Sequence, residues 1–521
     1  MSTPANSGHG ETNGGPQRET AAMSVGSAAV WAMASQYVTF TIQFATSVVI
    51  SRYFLRPDEV GLFSIALAAA LLVAVLQDFG LTRYIAGLPV VTAQDAHRCS
   101  SVAVLFSLVV SAIIALLAWP MAHFYAMPAL VPLLVIIGAS YLFVPLAVVP
   151  MALMSRAMRF QGHFAVNVGG AVGHAVVALV LAWLGFSTFA LAWATLASAL
   201  CRGLIAQAMQ RTRIFPLRID SVLPILAFGS KTSALYMTGA LGTRTPDMVV
   251  GKLVNLTAVG LFSRATSLAE QFRTLIAGAI GGVFYPAFAR IRDRGEPLGP
   301  PYLRVCAGYS AVVWPGMAGL ALAAEPLVRL LYGPTWIGTA PLLTVIALNS
   351  ALMISLPLVT ELPILTGRMN RLLALNMVET IASIGLLVAG SLWGGAWGAA
   401  LSRLAYGCLF MAMYLGFMAD MLGFRLRDWL IIQAKTVAVI AASLAPLMAI
   451  YLLWQPPAQA GLPALIVAAV LGGGAWIVSL VAVRHPALDD LCGLAGPLAN
   501  RISPSLGALI AAVAPNRSQS A

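Results

Sequence analysis

Val60-Gly61-Leu62-Phe63-Ser64 returns as Val259-Gly260-Leu261-Phe262-Ser263, each time at the mouth of a long apolar segment. In both copies an apolar helix runs out through a short charged turn, Arg52 to Glu59 and then Lys252 to Thr257, and the pentapeptide opens the next helix. A chain built twice in this way folds as two similar halves. The neighbouring sequence says what solvates them: of 521 residues 60% are apolar and only 9% charged, with a mean hydropathy of +0.88. That is too little polar surface to coat a water-soluble globule of this size. The expectation is an all-α polytopic membrane protein.

A span needs about 20 apolar residues, and the sequence offers about 14 transmembrane helices. They run over Ser27–Ser51, Val60–Phe79, Cys99–Trp119, Leu130–Val149, His163–Leu184, Thr188–Ala208, Val222–Leu241, Ala258–Tyr285, Tyr302–Ala323, Ala340–Leu362, Leu372–Leu392, Ala396–Met418, Leu430–Trp454 and Pro463–Val483. Two pairs of spans are separated only by Gly185-Phe186-Ser187 and Trp393-Gly394-Gly395, where a tight turn must break some 45 residues of apolar sequence.

Lys and Arg in short loops stay cytoplasmic. Loops after even-numbered spans hold Arg83, Arg98, Arg156, Arg159, Arg211, Arg213, Arg218, Arg290, Arg292, Arg294, Arg304, Arg368, Arg371, Arg425 and Arg427. Loops after odd-numbered spans hold only Arg52, Arg56, Arg244, Lys252 and Arg329, so both termini are expected in the cytoplasm and both pentapeptides on the outer face. Six spans separate the pentapeptides, so the copies share one orientation, as parallel repeats related by an axis along the membrane normal. The expected organisation is a disordered cytoplasmic tail (1–25), a first six-helix lobe (26–215), a second (216–424), a C-terminal helix pair (425–485) and a cytoplasmic or interfacial tail (486–521). The polar start of the chain lacks the basic and apolar pattern of a signal peptide.

The net charge of +12 brings no basic stripe interleaved with stacking aromatics, so no nucleic acid is expected as partner; anionic membrane lipids explain short arginine clusters better. Five widely spaced cysteines without a CxxC pair or histidine cluster suggest neither a metal nor a disulfide framework. No catalytic constellation and no Walker motif is visible, so neither an enzyme nor a cofactor is expected.

The remaining chemistry is polar residues within spans, which are costly in lipid and belong against a wet cavity or each other. Arg264, Ser267, Gln271, Thr274 and Gly278 fall within about 80° of one another on a helix. Lys231, Thr238, Gly242 and Thr245 form a similar face, and Gln36, Thr39, Gln43 and Thr46 an uncharged one. Lys231, Arg244 and Arg264 are candidate contacts for phosphate or acidic sugar, with Gln36, Gln43 and Gln271 contacting sugar. The blander reading of Lys231 and Arg264 is ion pairing with Glu361 or Glu379. Asp78, Asp247, Glu270, Glu361, Glu379 and Arg403 are candidates for an ion site or gate. Glu270 with Arg273 reads equally as a structural pair, Arg52, Arg56, Asp58 and Glu59 as a solvated turn, and Trp31, Trp119, Trp314, Trp336 and Trp454 as interface anchors.

Ser51-Arg52-Tyr-Phe-Leu-Arg-Pro-Asp-Glu-Val-Gly-Leu-Phe-Ser64 resembles a signature of the polysaccharide flippases within the multidrug/oligosaccharidyl-lipid/polysaccharide exporter superfamily. Ser155–Phe160, Val259–Ala265, Phe284–Arg290 and Glu325–Trp336 are similar to its later signatures, so the resemblance covers spans 1 to 12. It implies two six-helix lobes around a central cavity. It also implies a flippase that moves an undecaprenyl-pyrophosphate-linked oligosaccharide across a bacterial inner membrane by alternating access, with a polysaccharide polymerase and export proteins as partners. Two other functions stay open: a cation-coupled drug exporter of the same superfamily, which usually carries first-lobe carboxylates that span 1 lacks, and a non-transporting scaffold for polysaccharide assembly.

Overall fold

The computed structural model describes residues 25–77, 81–88, 91–217, 239–277, 284–488 and 490–492, and among these the ordered elements are all helical. In the first half they are α1 (Val25–Tyr53), α2 (Pro57–Ala74), α3 (Leu81–Gly87), α4 (Ala93–Tyr125), α5 (Leu130–Tyr141), α6 (Pro145–Arg156), α7 (Phe160–Trp183) and α8 (Thr188–Met209). The second half holds α9 (residues 239–253), α10 (Leu256–Ala277), α11 (Phe284–Asp293), α12 (Gly299–Leu322), α13 (Ala324–Leu331), α14 (Thr339–Ile354), α15 (Glu361–Leu365) and α16 (Met369–Leu422). Two last helices, α17 (Leu426–Leu453) and α18 (Leu462–Ala482), complete the order.

Eight of these helices are long and apolar enough to cross a membrane, and α5 with α6, bent by 40°, makes a further broken crossing. The two expected tight turns are present. Gly185 and Ser187 take φ of 85° and 51° between α7 and α8, and α16 is two helices meeting at Gly394-Gly395, where φ leaves the helical range at −137° and +56°. Helices α1 and α10 fall below the apolarity of the others although they are 29 and 22 residues long. Their polar stripes, Gln36 to Thr46 and Arg264 to Thr274, account for it. A helix that borders a wet space needs an apolar face only on its other side.

Several boundaries differ from expectation. The fourth span is not continuous, because Leu142–Val144 form a turn ahead of Pro145. The eighth is described to Ala277 and the amphipathic α11 from Phe284, with residues 278–283 outside the described residues. The tenth stops at Ile354. Arg52, Arg244 and Lys252 lie within α1 and α9, not in loops. Most of the expected span over Val222–Leu241 lies outside the described residues.

The two pentapeptides meet each other. A methyl group on Gly61 would lie 2.0 Å from the Leu256 carbonyl oxygen, and one on Gly260 would lie 1.8 Å from the Pro57 carbonyl oxygen. Only glycine allows two backbones so close. The contacts are reciprocal, and the Ser64 hydroxyl donates to Ser263 Oγ at 3.0 Å, again between equivalent positions. α2 and α10 therefore cross on a local two-fold axis, as parallel repeats require. More reciprocal ties surround the crossing. The end of α4 reaches the second half through the Tyr125 hydroxyl, which donates to the Met248 carbonyl at 2.9 Å, and through the Phe124 carbonyl, which accepts from Lys252 Nζ. The matching turn of the second half reaches α1: Trp336 Nε1 donates to the Ser51 carbonyl at 2.7 Å, and Arg52 donates to the Leu330 carbonyl. Each half thus closes over the first helix of the other.

The turn residues are less solvated than expected. The Glu59 carboxylate accepts from the Arg56 backbone N–H at 2.8 Å and from the Ser187 hydroxyl, and Thr188 donates to the Glu59 carbonyl at 3.2 Å, tying the start of α2 to the start of α8. Arg56 and Asp58 do stay in an exposed pair at 3.3 Å. The helix pair α17–α18 docks on α12 through Gln433 Nε2 to Ser310 Oγ (3.2 Å) and Trp476 Nε1 to the Ala311 carbonyl (2.8 Å).

Candidate functional site

Arg264 sits on α10 one turn beyond the crossing, about 12 Å from the helix start at 1.5 Å per residue. Its Nη1 donates to Ser47 Oγ of α1, and its guanidinium carbon lies 5.6 Å from the Tyr332 ring centre and 5.4 Å from that of Trp336. Those rings hold a cation by their quadrupoles, worth about 0.5–2 kcal/mol each. The cradle satisfies part of the fork only: Arg264 Nε is buried without a hydrogen-bond partner, and among the described residues no carboxylate lies within 4 Å. Arg264 does not form the ion pair with Glu361 or Glu379 raised by the sequence. A guanidinium with spare donors, set between the two halves, suits a phosphate or carboxylate.

Further along the stripe Gln271 Nε2 donates to Ser267 Oγ at 3.0 Å, while its Oε1 is buried and unpartnered. Gln36 and Gln43 are exposed on one face of α1. On α9, Arg244 is exposed and Asp247 half-buried one turn later, on the same helix face but without an ion pair between them. Glu270 accepts from Arg273 Nε at 2.7 Å and from its Nη2, an exposed pair three residues apart. Glu361 is exposed at the start of α15. Lys231 and Asp78 lie outside the described residues.

Glu379 and Arg403 belong to a second cluster, within the second half. The Glu379 carboxylate accepts from the Tyr406 hydroxyl and, at 2.7 Å, from Tyr414; Arg403 donates to Ser383 Oγ at 2.9 Å and lies 4.6 Å over the Tyr406 ring. This network joins the two helices of α16 across the Gly394-Gly395 break. Both charged groups are held by neutral hydroxyls, with no ion pair between them among the described residues.

Residues 49–341 match the profile of a family described as "Polysaccharide biosynthesis protein", a range that takes in both pentapeptides and the Tyr332–Trp336 turn. The chain belongs to that family. This family member is 25% identical over 371 residues to the succinoglycan biosynthesis transport protein ExoT of Rhizobium meliloti, covering 70% of this chain and 74% of the relative. It is 21% identical over 390 residues to the lipopolysaccharide biosynthesis protein WzxC of Escherichia coli, covering 73% and 77%. Among solved structures it is similar to lipid II flippase MurJ in an inward closed conformation, with a TM-score of 0.67 at 14% identity over 88% of this chain and 99% of that one. An inward-facing multidrug resistance transporter of the MATE family gives 0.54 at 13% identity over 76% and 98%. The chain shares the fold of these two transporters.

Sequence reasoning missed the aromatic side of the cradle. Trp336, read as an interface anchor, is fully buried, whereas Trp119, within the last two turns of α4, and Trp454, just past α17, are exposed. The available signal was Tyr332-Gly333-Pro334, which stops α13 and turns the chain inward toward α1. Tyr406 and Tyr414 were missed because nothing in a linear stripe says that the two helices of α16 face each other.

Proposed function

We propose that this protein is a flippase that carries an undecaprenyl-pyrophosphate-linked oligosaccharide from the inner to the outer leaflet of a bacterial inner membrane, by alternating access. The observation that carries the reading is Arg264: a cation with an unpartnered buried donor, held between two lobes whose glycine-to-backbone crossing lies one turn away. Membership of a polysaccharide biosynthesis family and relatives named for succinoglycan and lipopolysaccharide production supply the substrate class. The likeness in fold to a lipid II flippase is compatible with a prenyl-linked cargo.

Both termini are assigned to the cytoplasm on the arginine distribution, which places the sealed crossing outside. The state described is then closed to the outer face. Arg264 would receive the pyrophosphate, and Gln36, Gln43 and Gln271 would exchange hydrogen bonds with sugar; Arg244 of α9 would add positive charge. Release requires α2 and α10 to part, which exposes the cradle to the other side. No residue need change covalently, so the protein is read as a transporter and not an enzyme. A polymerase and export proteins would take the product.

Depletion of the protein tests the reading. Accumulation of the lipid-linked oligosaccharide in the inner leaflet is the expected result. Drug sensitivity with no change in the lipid pool would establish the exporter instead, and loss of assembly complexes without a leaflet bias would establish the scaffold.

A further inference from the structure

A second unpaired cation stands in the first lobe. Arg202 lies on α8 about 20 Å from the helix start, and that start is tied to Glu59 beside the crossing. It is therefore set deeper than Arg264. Leu204, about 200° round the helix, and Trp193 mark the outward apolar side of α8, both strongly exposed. Arg202 points the other way yet is still exposed. Its Nη2 donates to Asn167 Oδ1 of α7 at 3.2 Å, and Asn167 Nδ2 donates to Ser35 Oγ of α1, also at 3.2 Å.

No carboxylate lies within 4 Å of Arg202 among the described residues. The side chain is nonetheless fitted to its place. A methyl group on Gly170 would lie 2.3 Å from Arg202 Cγ, so the stem crosses α7 where that helix has no side chain. His174, two turns along from Asn167 on the same face, has no hydrogen-bond partner among the described residues. Thr39 Oγ1, one turn along α1 from Ser35, is buried and unpartnered. The opposite face of α7 carries Val172, Val176, Val180 and Trp183, all exposed and apolar. Beyond Arg202, an open groove of about 670 Å³ at the end of α8 is lined by Gln207, Ala208, Arg211, Thr212 and Arg213 and brings two more guanidinium groups.

An arginine within a span is costly unless water or an anion meets it. We propose that Arg202, with Asn167 and Ser35, forms an anion-binding site inside the first lobe, taking an anionic oxo group of the transported lipid-linked glycan at a stage before it reaches Arg264. The ligand is either the pyrophosphate or an acidic substituent of the sugar, since both offer two oxygens to a planar fork. Asn167 aims the fork and leaves the remaining donors free. The assignment rests on the flippase reading above for the identity of the ligand, but not for the existence of the site.

The test is binding to the purified full-length chain in lipid nanodiscs. Farnesyl pyrophosphate, an oligogalacturonate and inorganic pyrophosphate are the three probes. R202Q should weaken one or both organic anions by about tenfold or more, with R202K between it and the wild type because the fork is lost and the charge kept. Weakening of farnesyl pyrophosphate assigns the pyrophosphate; weakening of the oligogalacturonate alone assigns the acidic sugar. N167D guards against misfolding of R202Q. It sets a carboxylate beside the guanidinium, so it should lose binding to the same degree at unchanged thermal stability.

If both variants bind all three probes as the wild type does, the site is overturned. Loss of farnesyl pyrophosphate binding in R264Q would then leave the flippase reading intact without it. If Arg202 is needed for inorganic pyrophosphate while neither organic anion binds, the site stands and the flippase reading fails. A wild type that binds none of the probes overturns both.

Discussion

Arg264 owes its position to residues of both lobes: Ser47 from α1 and the rings of Tyr332 and Trp336 from the second half. Its charge alone does not define the site, because lysine in its place would keep the charge but lose the guanidinium plane beside two rings and the paired donors. Arg264→Lys should lower surface polysaccharide about tenfold in a flippase-null strain at matched protein level, and Arg264→Ala should abolish it. Normal polymer from the alanine variant would remove Arg264 from the site. Trp336→Phe isolates the support from the charge. It deletes the bond to the Ser51 carbonyl and leaves that buried acceptor unpaired, at a cost of about 1–3 kcal/mol. A drop in thermal unfolding temperature with anion binding only mildly weakened is expected.

At the scale of elements, helix ends decide more than helix interiors. α2 and α10 begin in the same pentapeptide, and their glycines allow the crossing. Gly61→Ala or Gly260→Ala places a methyl group against a backbone oxygen that cannot rotate away, so the helices must separate or the protein loses about 1–3 kcal/mol to overpacking. The outer-closed state should lose population, read as faster labelling of a cysteine introduced at Leu261 by an outer-face reagent. The end of α18 offers a different control. Beyond its last residue, His485 is 2% exposed; its Nδ1 accepts from the Ala487 N–H at 3.2 Å, and its Nε2 faces the Thr436 hydroxyl at 3.1 Å. Burial first, and the Lys435 ammonium second, push this imidazole down to about 4. The folded-state value is depressed, so the stabilisation is present above the unfolded value near 6.5 and is lost as pH falls from there through about 4. Hydrogen exchange at residues 484–488 should rise across that interval, and His485→Gln should flatten the dependence.

For the whole molecule the decisive property is that the two halves touch as equivalents. Ser64 and Ser263 stand 3.0 Å apart across the local axis, a separation that brings their β-carbons within reach of a disulfide. Ser64→Cys with Ser263→Cys should cross-link on mild oxidation, stop polysaccharide export and release it again on reduction. Export that continues with the bridge intact would mean that the crossing need not open.

Much of this was legible in the residues themselves. Repetition of one pentapeptide in two apolar surroundings determined a duplicated membrane protein, because a local sequence that starts a helix once will do so again and nothing but lipid can solvate the apolar run behind it. The polar stripe from Arg264 to Gln271 was equally local, since it depends only on helical periodicity. Gly185 and Gly395 announced their turns by lacking a side chain. What only the tertiary structure decided is which stripes face one another: that Gly61 meets the backbone of Leu256, that Tyr332 and Trp336 cradle Arg264, that Glu379 is occupied by two tyrosines from the returning helix, and that Arg202 lies against Asn167. Those contacts join residues far apart in the chain. Their geometry is set by how closely whole helices approach, a quantity that no window of sequence contains.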